Sequence, residues 1–161
     1  MRWLALALLL AGCGSTEQAT TNDTAGAQLE AAATRAGLIA DPNASLQGSW
    51  ARDTDRVCVV DSDNRTGRIG ATVDYGDNQG CAASGTVSRS GDRLMVAFGG
   101  CRFEARFDGD RIRFPADLPT ACEALCTGRA SLAALTVDRL SESRAEASAL
   151  RSTKGALLCG S

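Results

Sequence analysis

The sequence contains no histidine among its 161 residues. Histidine is the commonest general base, the commonest metal ligand and the usual pH-sensitive side chain in proteins. Its absence excludes mechanisms of the Ser-His and Cys-His type. The sequence also lacks a glycine-rich phosphate loop, a Gly-x-Ser-x-Gly motif and a Ser-x-x-Lys motif. We therefore expect a protein that is not an enzyme and holds no cofactor or metal, with an enzyme that uses carboxylates as the least favoured alternative.

Aromatic side chains are scarce, and basic side chains are scattered. There is one tyrosine, Tyr75, and one lysine, Lys154, and the formal net charge is −2. The sequence therefore offers neither a cluster of positive charge for phosphates nor a set of rings on which bases could stack. We expect no nucleic-acid partner.

No apolar run is long enough to cross a bilayer as a helix, which takes about 20 residues. The N-terminal run has eight apolar residues, 3–10, between Met1-Arg2 and the small pair Ala11-Gly12. A positive start, a short apolar core and a small-residue cleavage site are typical of a secretory signal. The sequence predicts that this signal ends before Cys13.

The segment Leu10-Ala11-Gly12-Cys13 resembles a bacterial lipobox. In lipobox proteins the peptidase cuts before the cysteine, which then carries a diacylglycerol on sulfur and a third acyl chain on nitrogen. The resemblance implies lipidation of Cys13 and, since Gly14 rather than aspartate follows, an outer-membrane anchor facing the periplasm. The chain as a whole resembles the small lipoproteins of Gram-negative envelopes. The alternative is an ordinary secretion signal in which Cys13 is incidental.

Six cysteines remain after Cys13, an even number in a chain expected to be exported. In an oxidising compartment they predict three disulfides. The alternative is a zinc site that includes Cys122-x₃-Cys126, but no second closely spaced pair accompanies it. The sequence does not determine the pairing. We expect Cys122 and Cys126, which share one face of a short helix, each to bond a sheet or tail cysteine. The six are Cys58, Cys81, Cys101, Cys122, Cys126 and Cys159.

The composition divides the chain into four parts. Residues 1–12 are the signal peptide, and residues 13–24, rich in Ser, Thr, Asn and Gln, are a lipidated flexible tether. Residues 25–44 contain a short alanine-rich helix and a linker. Residues 45–161 form a disulfide-stapled β domain with C-terminal helices.

Apolar and polar residues alternate along most of the β domain. Strands are predicted at 56–61, 68–75, 81–88, 94–98, 101–107 and 110–114, with a seventh at 130–138. Short turns join the first six strands, so the fold class is mainly β: an antiparallel six- to seven-stranded meander, forming a small barrel or a curved sheet. Short helices are predicted at 119–126 and, from the capping box Ser143-x-x-Glu146, at 143–152.

Two hairpins can be aligned by requiring that paired residues share a face. Pairing Val87 with Leu94 leaves a two-residue loop at 90–91. Around Asp108-Gly109, a two-residue loop pairs Phe103 with Phe114, and a four-residue loop also preserves the faces.

The segment Gly48-Ser49-Trp50 resembles the Gly-x-Trp that opens lipocalin-like barrels. In those barrels the tryptophan closes one end, and an arginine from the last strand stacks on it. Arg139 lies after the last predicted strand and is the candidate for that cation–π contact. The alternative is a core Trp50 without that role. The strand region is short for a lipocalin cavity and closer in length to small exported barrels that inhibit proteases or lysozymes.

Other polar patterns favour ordinary surface structure. The segment from Asp61 to Arg65 lacks the glycine and glutamate that a calcium loop requires. The outward row Arg102, Arg106, Arg111 and Arg113 is interleaved with acids and indicates a mixed-charge face. We expect a non-enzymatic binding or inhibitor module for another envelope protein. The alternative is a small-ligand carrier of the lipocalin type.

Overall fold

The computed structural model describes residues 24–36, 38–39, 41, 43–61, 63 and 65–160. The chain divides into two compact units, Met1–Ile39 and Ala40–Ser161. The predictions for residues 1–23, including the signal and Cys13, lie outside the described residues. In the first unit, helix α1 spans Ala25–Arg35 and begins where the Thr24 hydroxyl accepts the Ala27 N–H. In the described part of the chain, no helix has the length and apolar character needed to cross a membrane.

The described residues of the second unit form nine strands and two short helices. The strands are β1 (Gly48–Arg52), β2 (Asp55–Asp61), β3 (Thr66–Asp74), β4 (Gly80–Ser90), β5 (Arg93–Phe98), β6 (Cys101–Phe107), β7 (Arg111–Arg113), β8 (Cys126–Thr127) and β9 (Thr136–Ser141). A 3₁₀ helix spans Thr120–Leu125, and helix α2 spans Arg144–Ala149.

Eight of these strands close into an antiparallel barrel. Each of β1 to β7 pairs with its neighbour in sequence, and β9 pairs with both β7 and β1. The two-residue strand β8 adds to the outer edge of β4, where Cys81 pairs with Cys126. The mainly β, antiparallel prediction is confirmed, and the sequence missed β1 and β8. The predicted strand at 130–138 was misplaced: Leu132 is buried outside the sheet, and β9 begins at Thr136.

The first hairpin register was wrong by two residues. Val87 pairs with Val96, and Ser90 pairs with Arg93, so the two-residue loop is Gly91-Asp92. Gly91 has φ of +63°, and a primed turn of this kind favours glycine at its first central position. A shift of two residues keeps every side chain on its predicted face. The requirement that paired residues share a face therefore could not distinguish the two registers.

In the second hairpin, a two-residue and a four-residue loop both keep paired residues on one face, and the structure has the four-residue loop. Phe107 pairs with Ile112, which leaves residues 108–111 between the paired positions. Gly109, in this loop, has φ of +103°, and a Cβ there would lie 2.3 Å from the Asp41 carbonyl oxygen. Glycine is therefore required for the close approach of the two loops.

The barrel interior is one hydrophobic cluster to which every strand of the barrel contributes. Edge-to-face aromatic pairs link its walls, with ring centroids 4.7 Å apart for Phe103 and Phe114 and 5.7 Å apart for Trp50 and Phe107. An eight-stranded barrel has an interior just wide enough for side chains to fill, and these rings occupy it.

A second cluster lies on the outside of the barrel. Cys58, Ala147, Leu158 and Cys159 are buried together, so helix α2 and the C-terminal segment cover the outer face of β2 and β3. Helix α2 begins as the capping box predicted, with Ser143 Oγ accepting the Glu146 N–H, but it ends at Ala149 because Leu150 is extended.

Three disulfides join the six cysteines, as predicted. They are Cys58–Cys159, Cys81–Cys126 and Cys101–Cys122. Cys122 and Cys126 each bond a sheet cysteine, and Cys58 bonds the tail.

Candidate functional site

Trp50 lies at one end of the barrel. The residues just before β1 run across this end. Its ring is fully buried, and its Nε1–H donates to the Leu46 carbonyl at 3.3 Å. The guanidinium carbon of Arg139, from β9, lies 4.2 Å from the ring centroid, a cation–π distance. The two residues are those that the Gly-x-Trp pattern singled out. We call this the arginine end of the barrel.

Arg139 holds the segment 43–47 across the arginine end. Its Nη2 donates to the carbonyl oxygens of Ser45 at 2.7 Å and Gly109 at 2.6 Å. Burial lowers the pKa of Arg139, and the nearby carboxylates of Glu142 and Asp110 partly offset that effect. The guanidinium is thus already occupied by carbonyl oxygens of its own chain, which is the behaviour of a structural clamp.

Arg89 repeats this arrangement on the other side of the same end. Its guanidinium carbon lies 4.5 Å from the Phe107 ring centroid, and its nitrogens donate to the carbonyls of Ala44 at 2.6 Å and Gly91 at 2.9 Å. No sequence pattern singled out Arg89 as a site residue. The available signal was its position, because Arg89 continues the inward face that Cys81, Ala83 and Val87 define.

Asp61 is the buried acid of this end. It occupies the last inward position of β2, and its Oδ2 atom has no hydrogen-bond partner in the part of the chain that the structure describes. Desolvation raises the pKa of Asp61, against a smaller lowering by its backbone hydrogen bonds and by Arg144. Asp63 instead accepts the N–H groups of Arg65 and Thr66, which lower its pKa, so this loop is an ordinary polar turn.

The connection between β7 and β9 closes the opposite end, which we call the disulfide end. Its apolar side chains pack against the barrel interior; they are Leu118, Leu125, Ala130, Leu132 and Leu135. Two disulfides attach this connection to the barrel rim, Cys122 to Cys101 of β6 and Cys126 to Cys81 of β4. Both ends of the barrel are therefore covered by the chain itself, one through arginine hydrogen bonds and the other through covalent bonds.

Four cavities lined by described residues open on the outside of the barrel. The largest, about 740 Å³, lies beside the β3–β4 turn and Lys154. A second, about 580 Å³, lies on the outer face of β2 to β5, and two smaller ones lie beside Arg65 and within residues 116–133. The interior aromatic rings line none of these four. The accessible concave surface that they provide is on the outer side of the fold.

The outer face of β5, β6, β7 and β9 carries paired charges. Asp138 accepts from both Arg52 and Arg111, and these two hydrogen bonds lower its pKa despite some desolvation. Similar ion pairs join Arg106 to Asp92, Arg113 to Asp108 and Arg93 to Glu104. The arginine row is a mixed-charge surface in which acids of the same face offset most of the positive charge.

Among the described residues, no three His, Cys, Asp or Glu side chains are grouped closely enough to hold a metal ion. Comparisons with protein-family models, with curated proteins and with solved structures each return no match.

Proposed function

We propose that this protein is a lipid-anchored, non-enzymatic module that binds another envelope protein, as an adaptor or an inhibitor, through the outside of its barrel. The observation that carries the proposal is the closure of both barrel ends, by Arg139 and Arg89 at one and by two disulfides at the other. A barrel closed in this way offers its surface rather than its interior for recognition.

Rigidity supports a binding role. A surface that is already ordered loses little conformational entropy on association, so more of the contact energy appears as affinity. Three disulfides and a filled interior restrict the motion of this domain. Small exported inhibitors gain the same advantage from similar cross-links.

The anchor is part of the proposal. Acylation of Cys13, as the lipobox resemblance implies, would supply several acyl chains, and two such signals suffice for stable membrane attachment. The polar residues 13–24 would then hold the domain at a distance from the outer membrane, on its periplasmic side. The acyl chains would then bind the membrane, and the domain would remain available to bind a protein.

A small-ligand carrier of the lipocalin type is the second candidate. One observation favours it: Arg139 stacks on Trp50 at one end of an eight-stranded meander barrel. The filled interior and the covered disulfide end weigh against it, since a carrier needs space and an entrance for its ligand.

Photo-crosslinking of the full-length chain in intact cells tests the proposed function. Amine-reactive crosslinkers would attach to only one side chain of this protein, its single lysine, Lys154. Photo-reactive leucine is therefore the better probe. We expect ultraviolet light to produce a discrete crosslinked species, identified by mass spectrometry as an envelope protein. Recovery of no protein above the level of an unirradiated sample would contradict a binding module.

A Cys13→Ser variant is the control for the anchor. It should leave the membrane fraction and appear with soluble periplasmic proteins, because it lacks the lipidated residue. Continued fractionation with membranes would contradict lipidation at Cys13, and would leave the crosslinking result to decide the binding role separately.

A further inference from the structure

The 580 Å³ cavity is a groove on the outer face of β2 to β5, open to solvent along its length. We call it the outer groove. Its apolar part consists of Val60, Met95 and Ala97, which occupy outward positions of their strands. Met95, on β5, is an apolar residue that is 51% exposed. The outward positions of the neighbouring strand β6 are instead occupied by the charged residues Arg102, Glu104 and Arg106. These apolar side chains line one groove beside the charged outer face of β6.

The outer groove borders a part of the same face that the chain already covers. Leu158 packs on the outside of β3 at Gly70, and its carbonyl accepts the Ser84 hydroxyl of β4. Helix α2 forms the wall of the outer groove with Arg144. The C-terminal segment thus covers part of the outer face of β3 and β4, and the outer groove lies open beside it.

The charges of the outer groove differ from those of the opposite face. Arg68 and Arg144 both line it, and neither forms an ion pair with any residue that the structure describes. Arg144 donates to two neutral acceptors, the Gln47 side-chain oxygen and the Asp61 carbonyl. Asp61 also lines the outer groove, and its buried carboxylate interacts electrostatically with Arg144. The positive charge beside the apolar side chains is therefore that of Arg68, which has no ion pair among the described residues.

We propose that the outer groove binds an acidic peptide segment of a partner protein, with one large apolar side chain seated against Met95, Val60 and Ala97. The proposal rests on the proposed function and names the surface and the partner chemistry. The guanidinium of Arg68, which has no carboxylate partner among the described residues, is suited to bidentate recognition of Asp or Glu. Thr86 and Ser88 line the same groove, and their hydroxyls supply hydrogen bonds for a peptide backbone.

A site-specific photo-crosslinker in the full-length chain, in intact cells, tests this assignment. p-Benzoylphenylalanine is placed at Met95 and, as the matched position, at Leu140, which is 65% exposed on β9 and lies on the far side of the barrel. We expect capture at Met95 to exceed capture at Leu140 by roughly tenfold or more. Sequencing of the crosslinked peptide should show Asp or Glu beside a large apolar residue.

Charge reversal supplies the second arm. In the Met95 crosslinker background, Arg68→Glu should lower capture roughly tenfold, because it replaces an attractive pair by a repulsive one. Arg113→Glu, an exposed arginine on β7, should leave capture unchanged. Circular dichroism of both variants checks that the barrel is folded. We expect Arg68→Glu to fold because Arg68 has no ion pair within the described residues that the substitution would break.

Several results would overturn the outer groove as the binding site. They are equal capture at Met95 and Leu140, a crosslinked peptide without acidic residues, a phospholipid adduct, or capture that Arg68→Glu leaves unchanged. If photo-leucine captures an envelope protein but the Met95 position does not, the groove assignment fails and the binding module stands. If neither captures a protein, both proposals fail.

Discussion

Replacing Trp50 with alanine is expected to lower the free energy of unfolding by about 3–5 kcal/mol, the usual cost of truncating a fully buried aromatic side chain. Trp50 is completely buried, packs edge-to-face on Phe107 and lies under the guanidinium of Arg139. The substitution leaves a cavity and also removes the ring on which Arg139 stacks. Urea unfolding followed by far-ultraviolet circular dichroism measures the loss without relying on tryptophan fluorescence.

Leu140→Ala is the matched control for this substitution. Leu140 is large and apolar but exposed on the outside of β9, so its truncation should change stability by no more than about 0.5 kcal/mol. If Trp50→Ala cost as little as the control, Trp50 would not close a packed end of the barrel.

Removing the Cys58–Cys159 disulfide is expected to produce the largest loss of any disulfide in the domain. Its cysteines are 101 residues apart, and the chain-entropy model assigns a cross-link of that length about 4.7 kcal/mol of stability. The double variant Cys58→Ala, Cys159→Ala also releases the C-terminal segment that covers Gly70 and Ser84. Urea unfolding of the oxidised protein gives the change in stability.

The double variant Cys101→Ala, Cys122→Ala is the matched comparison. These cysteines are 21 residues apart, so their disulfide should contribute less by about 1.4 kcal/mol, because loop-closure entropy grows with the logarithm of loop length. Both disulfides are buried, so a larger difference than loop length predicts would report the contacts of the released C-terminal segment. An equal or smaller loss for the Cys58–Cys159 variant would show that the C-terminal segment is not held by this cross-link.

The faces of the strands were predictable from the sequence because side chains alternate across a sheet. Phe103, Ala105 and Phe107 face inward as the pattern indicated, and Arg102 and Glu104 face outward. Side chains at strand ends were less predictable. Tyr75 alternates with Ile69, Ala71 and Val73, which predicts an inward position, but β3 ends at Asp74, and Tyr75 is 59% exposed in the turn.

Other features depend on contacts between residues that are distant in sequence. Thr72 lies between the inward residues Ala71 and Val73, so alternation places it on the outer face, yet it is buried. The disulfide pairing likewise follows from the closed barrel, which brings the connection after β7 beside β4 and β6. The clamp of Arg89 on residues before β1 required the register of the β4–β5 hairpin, which facing alone did not determine.

Titration with a neutral apolar fluorophore, N-phenyl-1-naphthylamine, tests whether the barrel interior is closed to ligands. Trp50 is the only tryptophan after residue 12, so its emission reports on the interior. We predict that the fluorophore causes no saturable change in Trp50 emission, whereas a lipocalin carrier used as a positive control shows one. A Met95→Glu variant removes an exposed apolar side chain from the outer groove. Saturable one-to-one quenching of Trp50 that persists in this variant would place a ligand inside the barrel and contradict a closed interior.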